Sequence, residues 1–553
     1  MKKRILTMLL WMVAINLSAQ KADSQYASYA PDGVPFEVTQ EPWVADGLGN
    51  HRAVVKADCP AGTKAIRASM KWRRPDVKSS VTSFVIVGKK SGERVAHFWA
   101  EKRTPELGVV WFEPLANEET YLIYYMPYNL RKGSAECRFL WNYNDYITYP
   151  TEQAENWKAS LGDEKPVEAT LLRYEEVNNF EAFTQMGNIA TTAETDSVRA
   201  CHNENPVIFT EDRCFPIRLF HQLPVRWVKK KPQDAFEGTA LKNEYYVWQI
   251  GLWAAHGALQ GVDVAFSDLK EKRGRMTIPA SEQTCFNCTG TGWDGQPLAL
   301  EVNVAQGDVQ TLWCGVQVPR DAPAGVYEGS ATVTAQGMEP REVRFILSVE
   351  NEVLADKGDG ELWRLSRLRW LNSTIGSEKK PISPFKEMKV CGKLIKATEK
   401  RLKVADNGLL KSVVVNKQEV LSEPMSIEVE TSNGVICLDG GKVSIHKDAA
   451  GQVSWTSRQV KDGVTLLAEG CMEYDGLVLC KLFLSCDRDL DVKDIRYTTI
   501  YTPYASKYMM GIGQDGGSRP KECSWDWSGL WDSYWMGGVK AGLHVEFRGD
   551  DAY

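Results

Sequence analysis

The stretch VQTLWCGVQVPRDAPAGVYEGSATVTAQG, residues 309–337, points most directly to a fold class for this 553-residue chain. Apolar and polar residues alternate on both sides of a Pro-Ala-Gly turn at Pro323 to Gly325. Alternation with a period of two predicts half-buried β-strands, and two such strands joined by a proline and glycine turn are typical of immunoglobulin-like sandwiches. The stretch therefore predicts an antiparallel β-sandwich.

The same alternation of apolar and polar residues recurs along much of the chain, and turn residues interrupt it about every ten residues, as in all-β domains. In VTSFVIVGKKSGERVAHFWA, residues 81–100, a strand over 83–87 is predicted to turn through Lys90-Ser91-Gly92 into a strand over 94–99. This reading makes the segment a hairpin. Further strands are predicted over 109–113 and 121–125.

The predicted fold is all-β, with three β-sandwich domains in series and a short helical connector. The sandwiches are expected to be immunoglobulin-like or jelly-roll-like, and the last has the length of a larger supersandwich. Phe180, Phe183 and Met186 stand at helical spacing and suggest the helix of the connector. The predicted segments are a signal peptide over 1–20, a first sandwich over 35–150, the connector over 151–204, a second sandwich over 205–354 and a third, truncated sandwich over 362–553.

The first twenty residues have the form of a secretory signal peptide. Lys2 to Arg4 are cationic, the run from Ile5 to Leu17 is mostly apolar, and Ser18-Ala19-Gln20 supplies small residues for cleavage. The apolar run is shorter than the roughly 20 residues that a membrane-spanning helix needs. We therefore expect an exported protein, periplasmic or extracellular, without a membrane span.

Composition and cysteine content limit the classes of ligand. The chain is 43% hydrophobic and 25% charged, with a formal net charge of -6, so it is globular and has no basic excess for nucleic acid. Thirteen cysteines leave at least one thiol unpaired within the chain. Cys285 and Cys288 have metal-ligand spacing, but zinc needs two more ligands and no second CxxC exists. Buried thiols or a disulfide are the favoured reading, and neither metal nor cofactor is predicted.

No constellation of catalytic residues is recognisable in the sequence. None of the seven histidines lies in a nucleophile or metalloprotease motif. Glycoside hydrolysis needs two carboxylates facing each other in space, which spacing along the chain cannot show. The adjacent pair Asp163-Glu164 is read as a solvated loop, and Glu211-Asp212-Arg213 as a local ion pair or cap. No catalytic residue is predicted.

Four tryptophans near the end of the chain are the candidate ligand-binding residues. CSWDWSGLWDSYWMGG, residues 523–538, contains Trp525, Trp527, Trp531 and Trp535. Large aromatic rings stack on the C-H faces of sugars, but they also fill cores. Glycine interruptions suggest two short strands with a loop between, followed by a half-buried strand over 539–547. Sugar stacking, core packing and burial against another domain all stay open.

Other aromatic and arginine clusters are assigned to structure. Trp248 and Trp253 are predicted to pack in a core. Trp72-Arg73-Arg74 is read as a strand end with solvated arginines rather than a cation-π shelf or an anion site. The arginines at 364, 367 and 369 are read as one face of a strand or helix in water.

Six phrases resemble the N-terminal region of glycoside hydrolase family 123-like proteins, large exported proteins typical of glycan-degrading Bacteroidetes. The resemblance runs in order along essentially the whole mature chain and agrees with the three predicted sandwiches. The phrases are DGLGNHRAVV (46–55), MKWRRPD (70–76), VVWFEPLANEETYLIYYMPY (109–128), FTEDRCFPIRLFHQLPVRW (209–227), QDAFEGTALKNEYYVWQIGLWA (233–254) and SRLRWLNSTIG (366–376).

The resemblance implies exo-acting removal of β-linked N-acetylgalactosamine, with retention and assistance from the acetamido group of the substrate. In the family, an adjacent Asp-Glu pair on a (β/α)8 barrel does this work. Barrel-type alternation of strands and helices does not occur in this sequence, so no catalytic residue is transferred to it. The expectation is a non-catalytic portion of a glycoside hydrolase that acts on N-acetylhexosamine-containing glycan, with a barrel encoded downstream as partner. The alternative is a stand-alone carbohydrate-binding or scaffold protein of a glycan-utilisation system.

Overall fold

A computed structural model describes residues 29–76, 80–132, 142–182, 184–292, 295–527 and 532–547. The chain divides into two compact units, one made of residues 1–131 and 143–373 and the other of 132–142 and 374–553. Strands form most of the regular structure in both units, which confirms the all-β prediction. The predicted signal peptide lies outside the described residues, and within them no helix has the length and apolarity to cross a membrane.

The first sandwich of the larger unit packs a five-stranded sheet against a four-stranded one. Its strands are β1 (Phe36–Val38), β2 (His51–Lys56), β3 (Ile66–Met70), β4 (Phe84–Gly88), β5 (Phe98–Arg103), β6 (Gly108–Phe112), β7 (Thr120–Tyr125), β8 (Tyr128–Lys132), β9 (Asn142–Tyr146), β10 (Val167–Glu168) and β11 (Thr170–Glu176). The strand orders are β1-β11-β2-β7-β4 and β10-β3-β6-β5, and β8 and β9 form a separate ribbon. Alternate side chains of the two sheets, among them Val55, Phe112 and Tyr121, fill the core between them.

The predicted hairpin over residues 83–99 is only partly present. Val87 and Arg94 form an isolated antiparallel bridge, after which the chain crosses to the other sheet and β5 pairs with β6. Local alternation predicts each strand but not the sheet that the strand joins. The first sandwich also extends into the stretch predicted as connector, because β11 lies between β1 and β2.

The helices of the larger unit are α1 (Thr151–Ser160), α2 (Thr192–Cys201) and α3 (Val225–Lys229). The helix expected around residues 180–186 is absent from the described residues there, which form turns, while Phe183 lies outside them. Helix α2 begins later because Thr191 and Glu194 form a capping box that supplies partners for its first N–H groups.

The second sandwich of the larger unit buries an extensive apolar core. Its strands are β12 (Val207–Asp212), β13 (Ala235–Lys242), β14 (Tyr245–Trp253), β15 (Asp263–Phe266), β16 (Leu269–Glu271), β17 (Thr277–Ile278), β18 (Gln283–Cys285), β19 (Thr289–Thr291), β20 (Pro297–Ala299), β21 (Val309–Gln317), β22 (Gly325–Thr334) and β23 (Arg341–Val353). One sheet has the order β12-β14-β21-β18, the other β13-β23-β22-β16-β17 with β15 also on β22. Trp248 and Trp253 are buried, as predicted.

The stretch 309–337 forms the two predicted strands, β21 and β22. They belong to opposite sheets, so the turn at Pro323 to Gly325 crosses the sandwich instead of closing a hairpin. β21 pairs with the fully buried β14, whereas β22 pairs with β23. Each strand therefore buries its apolar face in the same core from opposite sides.

A buried ion cluster fixes the segment that follows the second sandwich. The fully buried Glu244 carboxylate lies 2.6 Å from Arg213 and 3.0 Å from Arg364. The prediction that Arg364 belongs to a solvated face is wrong, because the chain forms 3-10 turns over Leu362–Arg364 and Ser366–Asn372 that bring this guanidinium to Glu244.

The described part of the smaller unit contains four sheets around one apolar core. Its strands are β24 (Lys389–Cys391), β25 (Leu394–Ala397), β26 (Lys400–Val404), β27 (Leu410–Val415), β28 (Gln418–Glu419), β29 (Ser426–Thr431), β30 (Gly434–Cys437), β31 (Lys442–Ala449), β32 (Gln452–Lys461), β33 (Val464–Glu473), β34 (Val478–Cys486), β35 (Val492–Thr498), β36 (Tyr508–Gly511), β37 (Gln514–Ser518), β38 (Ser533–Gly537) and β39 (Gly542–Glu546). Their orders are β24-β25-β26-β27-β28, β30-β29-β35, β31-β32-β33-β34 and β37-β36-β38-β39. Trp455 is buried in the core and donates its indole N–H to the carbonyl of Gly408 at 2.8 Å.

Candidate functional site

A pocket of about 420 Å³ opens in the larger unit, between the first sandwich, the connector and the loop after β12. This volume lies in the range of small-ligand sites. The side chains around it combine aromatic rings, amides and both signs of charge. They include Asn50, His51, Arg74, Asp76, Tyr128, Asn144, Tyr146, Phe180, Glu181 and Arg218.

The β8-β9 ribbon supplies the aromatic wall of the pocket. Tyr128 and Tyr146 meet edge to face, with ring centroids 5.9 Å apart and an interplanar angle of 83°. The Tyr128 hydroxyl donates to the Asn50 side-chain oxygen at 2.7 Å. That contact orients the Asn50 amide so that its NH2 group remains available as a donor.

His51 is held neutral at the base of the pocket. An Arg74 guanidinium nitrogen lies 3.1 Å from His51 Nδ1, and His51 Nε2 lies 2.9 Å from the carbonyl oxygen of Glu181. A guanidinium only donates hydrogen bonds, so Nδ1 accepts and the ring proton lies on Nε2. Burial, together with the charge of Arg74, lowers the pKa of His51 well below its usual value. Both ring nitrogens are therefore engaged, and the imidazole has no lone pair left for a substrate proton.

Arg74 also binds Asp76, one of the two carboxylates that line the pocket. Its Nε and one terminal nitrogen lie 2.9 and 2.8 Å from the same oxygen of Asp76. Its guanidinium carbon lies 5.3 Å from the centre of the Tyr125 ring. Asp76 is thus held by a guanidinium that itself packs on an aromatic ring.

Arg73 fixes the connector that forms another wall. Its side chain is 1% exposed and pairs with Asp32 at 2.7 Å and with Glu194 at 2.7 Å. It also donates to the carbonyl oxygen of Ile189 at 3.1 Å. The prediction of solvated arginines at 73 and 74 is wrong, because both side chains are buried. Groups distant in sequence enclose the Arg73 guanidinium, whereas Arg74 binds its near neighbour Asp76 and the ring of His51.

The rim of the pocket is exposed and unlike its base. Phe180 is 90% exposed, and Arg218 is exposed without an ion-pair partner among the described residues. An exposed ring and a guanidinium at the edge of a cleft can contact a ligand without first breaking internal contacts. Neither side chain was identified from the sequence as a ligand-binding residue, since Phe180 was assigned to a predicted helix and Arg218 has no local pattern that marks it.

The carboxylates considered from the sequence lie outside this pocket. Asp163 and Glu164 lie in turns after α1, with Glu164 3.4 Å from Lys64, which agrees with a solvated loop. Glu211 is buried and accepts from Trp227 at 2.9 Å while pairing with Lys230 at 3.0 Å. Glu211 therefore belongs to an ion pair, but it pairs with Lys230 while Arg213 pairs with Glu244, so the pairing is not local to the tripeptide as predicted.

A second, more open depression of about 570 Å³ lies along α1 and is lined by His97 and Trp157 among others. Beside it, Trp99 and Trp111 form a cross-strand pair on the outer face of the four-stranded sheet. The Lys158 ammonium lies 4.4 Å from the centre of the Trp111 ring. Lys158 belongs to α1, so its cation-π contact helps to dock this helix on the sheet and covers one face of the Trp111 ring.

The C-terminal tryptophans pack against separate neighbours in the smaller unit. The Trp525 ring covers Gly513, where an added Cβ would lie 3.0 Å from it, and Trp535 on β38 covers Gly537. Trp527 is 40% exposed and meets Phe547 edge to face at 5.1 Å. Trp531 lies outside the described residues. Of the three described rings, Trp527 offers an exposed face, so sugar stacking by this cluster stays a prediction.

Two domain models of one family match the chain. Glycoside hydrolase 123, N-terminal domain, matches residues 41–182, and glycoside hydrolase 123, third domain, matches residues 388–553. Together they cover more than half of the chain. The first match contains most of the residues that line the pocket.

Searches of known proteins add distant likenesses. A family 123 glycoside hydrolase from Clostridium perfringens, studied for glycolipid glycan hydrolysis, is 18% identical over 27% of this chain and 28% of its own, with a TM-score of 0.22. Spo0M, a sporulation control protein from Bacillus subtilis, is 9% identical over 51% of this chain and 91% of its own, with a TM-score of 0.15. The PapD-like domain 7 of human CEP192 is 15% identical over 22% and 83%, with a TM-score of 0.15. No curated protein matches the chain.

Proposed function

This chain belongs to the glycoside hydrolase 123-like proteins, and on that premise we propose that its β-domains bind glycan without cleaving it. The domains would serve an exported system that degrades N-acetylhexosamine-containing glycans, as the non-catalytic portion of a glycoside hydrolase. The pocket in the larger unit would hold a sugar unit of that glycan.

The composition of the pocket is the observation that supports this proposal. Tyr146 and Phe180 offer aromatic surface for the aliphatic C-H face of a pyranose, and Arg218 offers several fixed donors for hydroxyl oxygens. The Asn50 amide donates through its NH2 group, since its oxygen is occupied by Tyr128. An amide of this kind complements the carbonyl oxygen of an acetamido group, which favours an N-acetylated sugar.

The engaged state of the acid and base groups favours binding over hydrolysis. Cleavage of a glycosidic bond uses two carboxyl groups, one of which must donate a proton. In the pocket, Asp76 is bound to Arg74 and His51 uses both ring nitrogens. Among the described lining residues this leaves the Glu181 side chain, and a single carboxyl group does not make the pair.

Titration calorimetry with oligosaccharides that contain N-acetylgalactosamine or N-acetylglucosamine tests the proposal. We expect saturable binding with a dissociation constant of about 0.1–1 mM, and no release of product from aryl N-acetylhexosaminides. Phe180→Ala should weaken binding about two- to tenfold, because an aromatic contact contributes roughly 0.5–1.5 kcal/mol.

Phe483→Ala is the matched control, because Phe483 is also a partly exposed phenylalanine but lies on β34 of the smaller unit. The Phe483→Ala variant should bind the oligosaccharides as tightly as the wild type does. A flat titration would reject the binding proposal. Turnover that disappears in a point variant of this chain would instead reject the non-catalytic role.

The alternative, a stand-alone carbohydrate-binding or scaffold protein, predicts the same titration. The two hypotheses differ in whether a catalytic barrel is encoded next to the chain. A (β/α)8 barrel encoded immediately downstream favours a portion of a hydrolase, and its absence there favours the stand-alone protein.

A further inference from the structure

Three cysteines meet in the core of the second sandwich. Cys285 ends β18, Cys288 follows it after two residues, and Cys314 lies directly opposite Cys285 on β21. Their exposed fractions are 3%, 6% and 0%. The sulfur atoms of Cys285 and Cys288 are 3.6 Å apart.

The backbone brings this pair of sulfurs together. The N–H of Cys288 donates to the carbonyl oxygen of Cys285 at 3.3 Å, which closes a tight turn between them. A disulfide requires sulfurs about 2.0 Å apart and Cα atoms within about 7 Å. A four-residue turn satisfies the condition on the Cα atoms. Side-chain rotation that brings the sulfurs closer by less than about 2 Å satisfies the condition on the sulfurs.

A metal site is the competing use of a CxxC turn. Structural zinc takes four ligands in a tetrahedron, and this cluster offers three sulfurs surrounded by apolar side chains. The described residues contain no group of His, Cys, Asp and Glu arranged to hold an ion. Two sulfurs in near contact match a disulfide pair instead.

We propose that Cys285 and Cys288 form an intramolecular disulfide when the chain folds in an oxidising compartment. The proposal rests on the proposed export for its setting, since thiols in such compartments are oxidised. The bond must form before the core closes, because both sulfurs are buried in the folded domain.

The oxidant can be a small disulfide such as glutathione disulfide. The Cys285 thiolate attacks one glutathione sulfur and releases a first glutathione thiolate. The Cys288 thiolate then attacks the Cys285 sulfur of the mixed disulfide and releases the second. The two cysteine protons end on the two glutathione thiolates, and the two electrons reduce the glutathione disulfide.

Cys314 distinguishes this assignment from a cross-strand bond. In the folded domain burial raises the pKa of the Cys314 thiol well above its usual value, so this thiol is a poor nucleophile once β18 and β21 have paired. Cys285 and Cys288 are three residues apart and can meet in their turn before β21 pairs with β18.

Peptide mapping tests the pairing. The full-length protein is refolded with oxidised and reduced glutathione, or with a reducing phosphine as control, then denatured, alkylated and digested with trypsin and a protease that cleaves after glutamate. Cleavage at Glu282 and Glu301 separates a peptide with Cys285 and Cys288 from the one with Cys314. We expect the first peptide to carry no alkyl group after oxidative refolding and to weigh two hydrogens less than the unalkylated dithiol peptide, while Cys314 stays alkylated.

Two outcomes with the unsubstituted protein overturn the proposal or its pairing. Alkylation of both Cys285 and Cys288 after oxidative refolding shows that no bond forms. A cross-link between the two peptides assigns the bond to Cys314. The variant Cys314→Ser gives a further test, because it must still yield the unalkylated peptide if the bond lies within the turn, and alkylation of that peptide would contradict the assignment. None of these results depends on whether the protein binds glycan, so the two proposals can fail separately.

Discussion

The substitution Glu194→Gln removes a charge that ties the connector to the first sandwich. Both oxygens of the Glu194 carboxylate lie 2.7 Å from nitrogens of the buried Arg73 guanidinium. One of them also accepts the backbone N–H of Thr191 at 2.8 Å in the capping box of α2. Glutamine keeps the size of the side chain and its capping oxygen, so the change isolates the contribution of the charge.

The magnitude follows from the pKa of this carboxyl group. Hydrogen bonds from Arg73 lower the pKa of Glu194 from 4.5 to about 2. At about 1.4 kcal/mol for each tenfold change, the charged form is favoured in the folded state by about 3 kcal/mol. The side chain remains 26% exposed, and solvent screening reduces the expected cost of Glu194→Gln to about 2 kcal/mol.

This stability depends on pH in a defined direction. The folded-state pKa of Glu194 lies below its unfolded-state value, so the stabilisation is complete above about pH 4.5 and is lost as the pH falls toward about 2. Glutamine does not titrate. The difference between wild type and Glu194→Gln should therefore shrink across this window.

Hydrogen exchange of the α2 amides measures the effect locally, since a chain of several domains need not unfold in one step. We expect protection factors about 30-fold lower in Glu194→Gln at neutral pH, with a smaller loss at about pH 3. Glu101→Gln is the control, because Arg67 lowers the pKa of Glu101 to about 2 as well but both lie on the outer face of the four-stranded sheet. Protection of α2 that is unchanged in Glu194→Gln, or a loss equal at both pH values, would refute the reasoning.

Two further substitutions test packing and the buried ion cluster. Gly108→Ala should destabilise the first sandwich by about 1–3 kcal/mol in chemical denaturation, because the new methyl group would lie 2.4 Å from the buried Trp72 ring. Gly257→Ala is the control and should be tolerated, because its methyl group would lie 3.5 Å from the nearest atom. Glu244→Gln leaves the buried Arg213 without its carboxylate and should lower the free energy of unfolding by about 3–5 kcal/mol. Calorimetry should show a lower melting temperature of the larger unit, and an unchanged melting temperature would contradict the stabilising role of the cluster.

The strands could be predicted from the sequence because half-buried strands leave a local pattern. Alternation placed β21 and β22 at residues 309–317 and 325–334 within a few residues. Their assignment to opposite sheets could not be predicted in the same way. It depends on pairing with β14 and β23, which lie elsewhere along the chain. Local alternation does not indicate which strand will be the pairing partner.

The pocket could not be predicted because its walls come from separate segments of the chain. Arg73 is an example, since isolated arginines are usually solvated. Its partners Asp32 and Glu194 lie 41 and 121 residues away, and only the fold brings them to it. The aromatic wall has the same origin, because Tyr128 and Tyr146 face each other through the pairing of β8 and β9.

One tripeptide links the stability of the first sandwich to the shape of the pocket. The Trp72 ring packs in the core against Tyr125 at 5.2 Å, Arg73 holds the connector through Asp32 and Glu194, and Arg74 orients His51 at the base of the pocket. Arg73 adopts a left-handed backbone with a φ of 52°, and the chain bends there as it leaves β3.

Substitution of any of these three residues would change folding and the pocket together, so a loss of binding in such a variant could not be assigned to a ligand contact. The exposed rim avoids this ambiguity, because Phe180 and Arg218 support no buried contact among the described residues. Arg218→Ala should therefore weaken glycan binding without a change in melting temperature, measured beside Arg320→Ala, an exposed arginine outside the pocket. If both arginine variants bind as the wild type does, the guanidinium at the rim takes no part in recognition, and the aromatic rings and the Asn50 amide must account for the affinity.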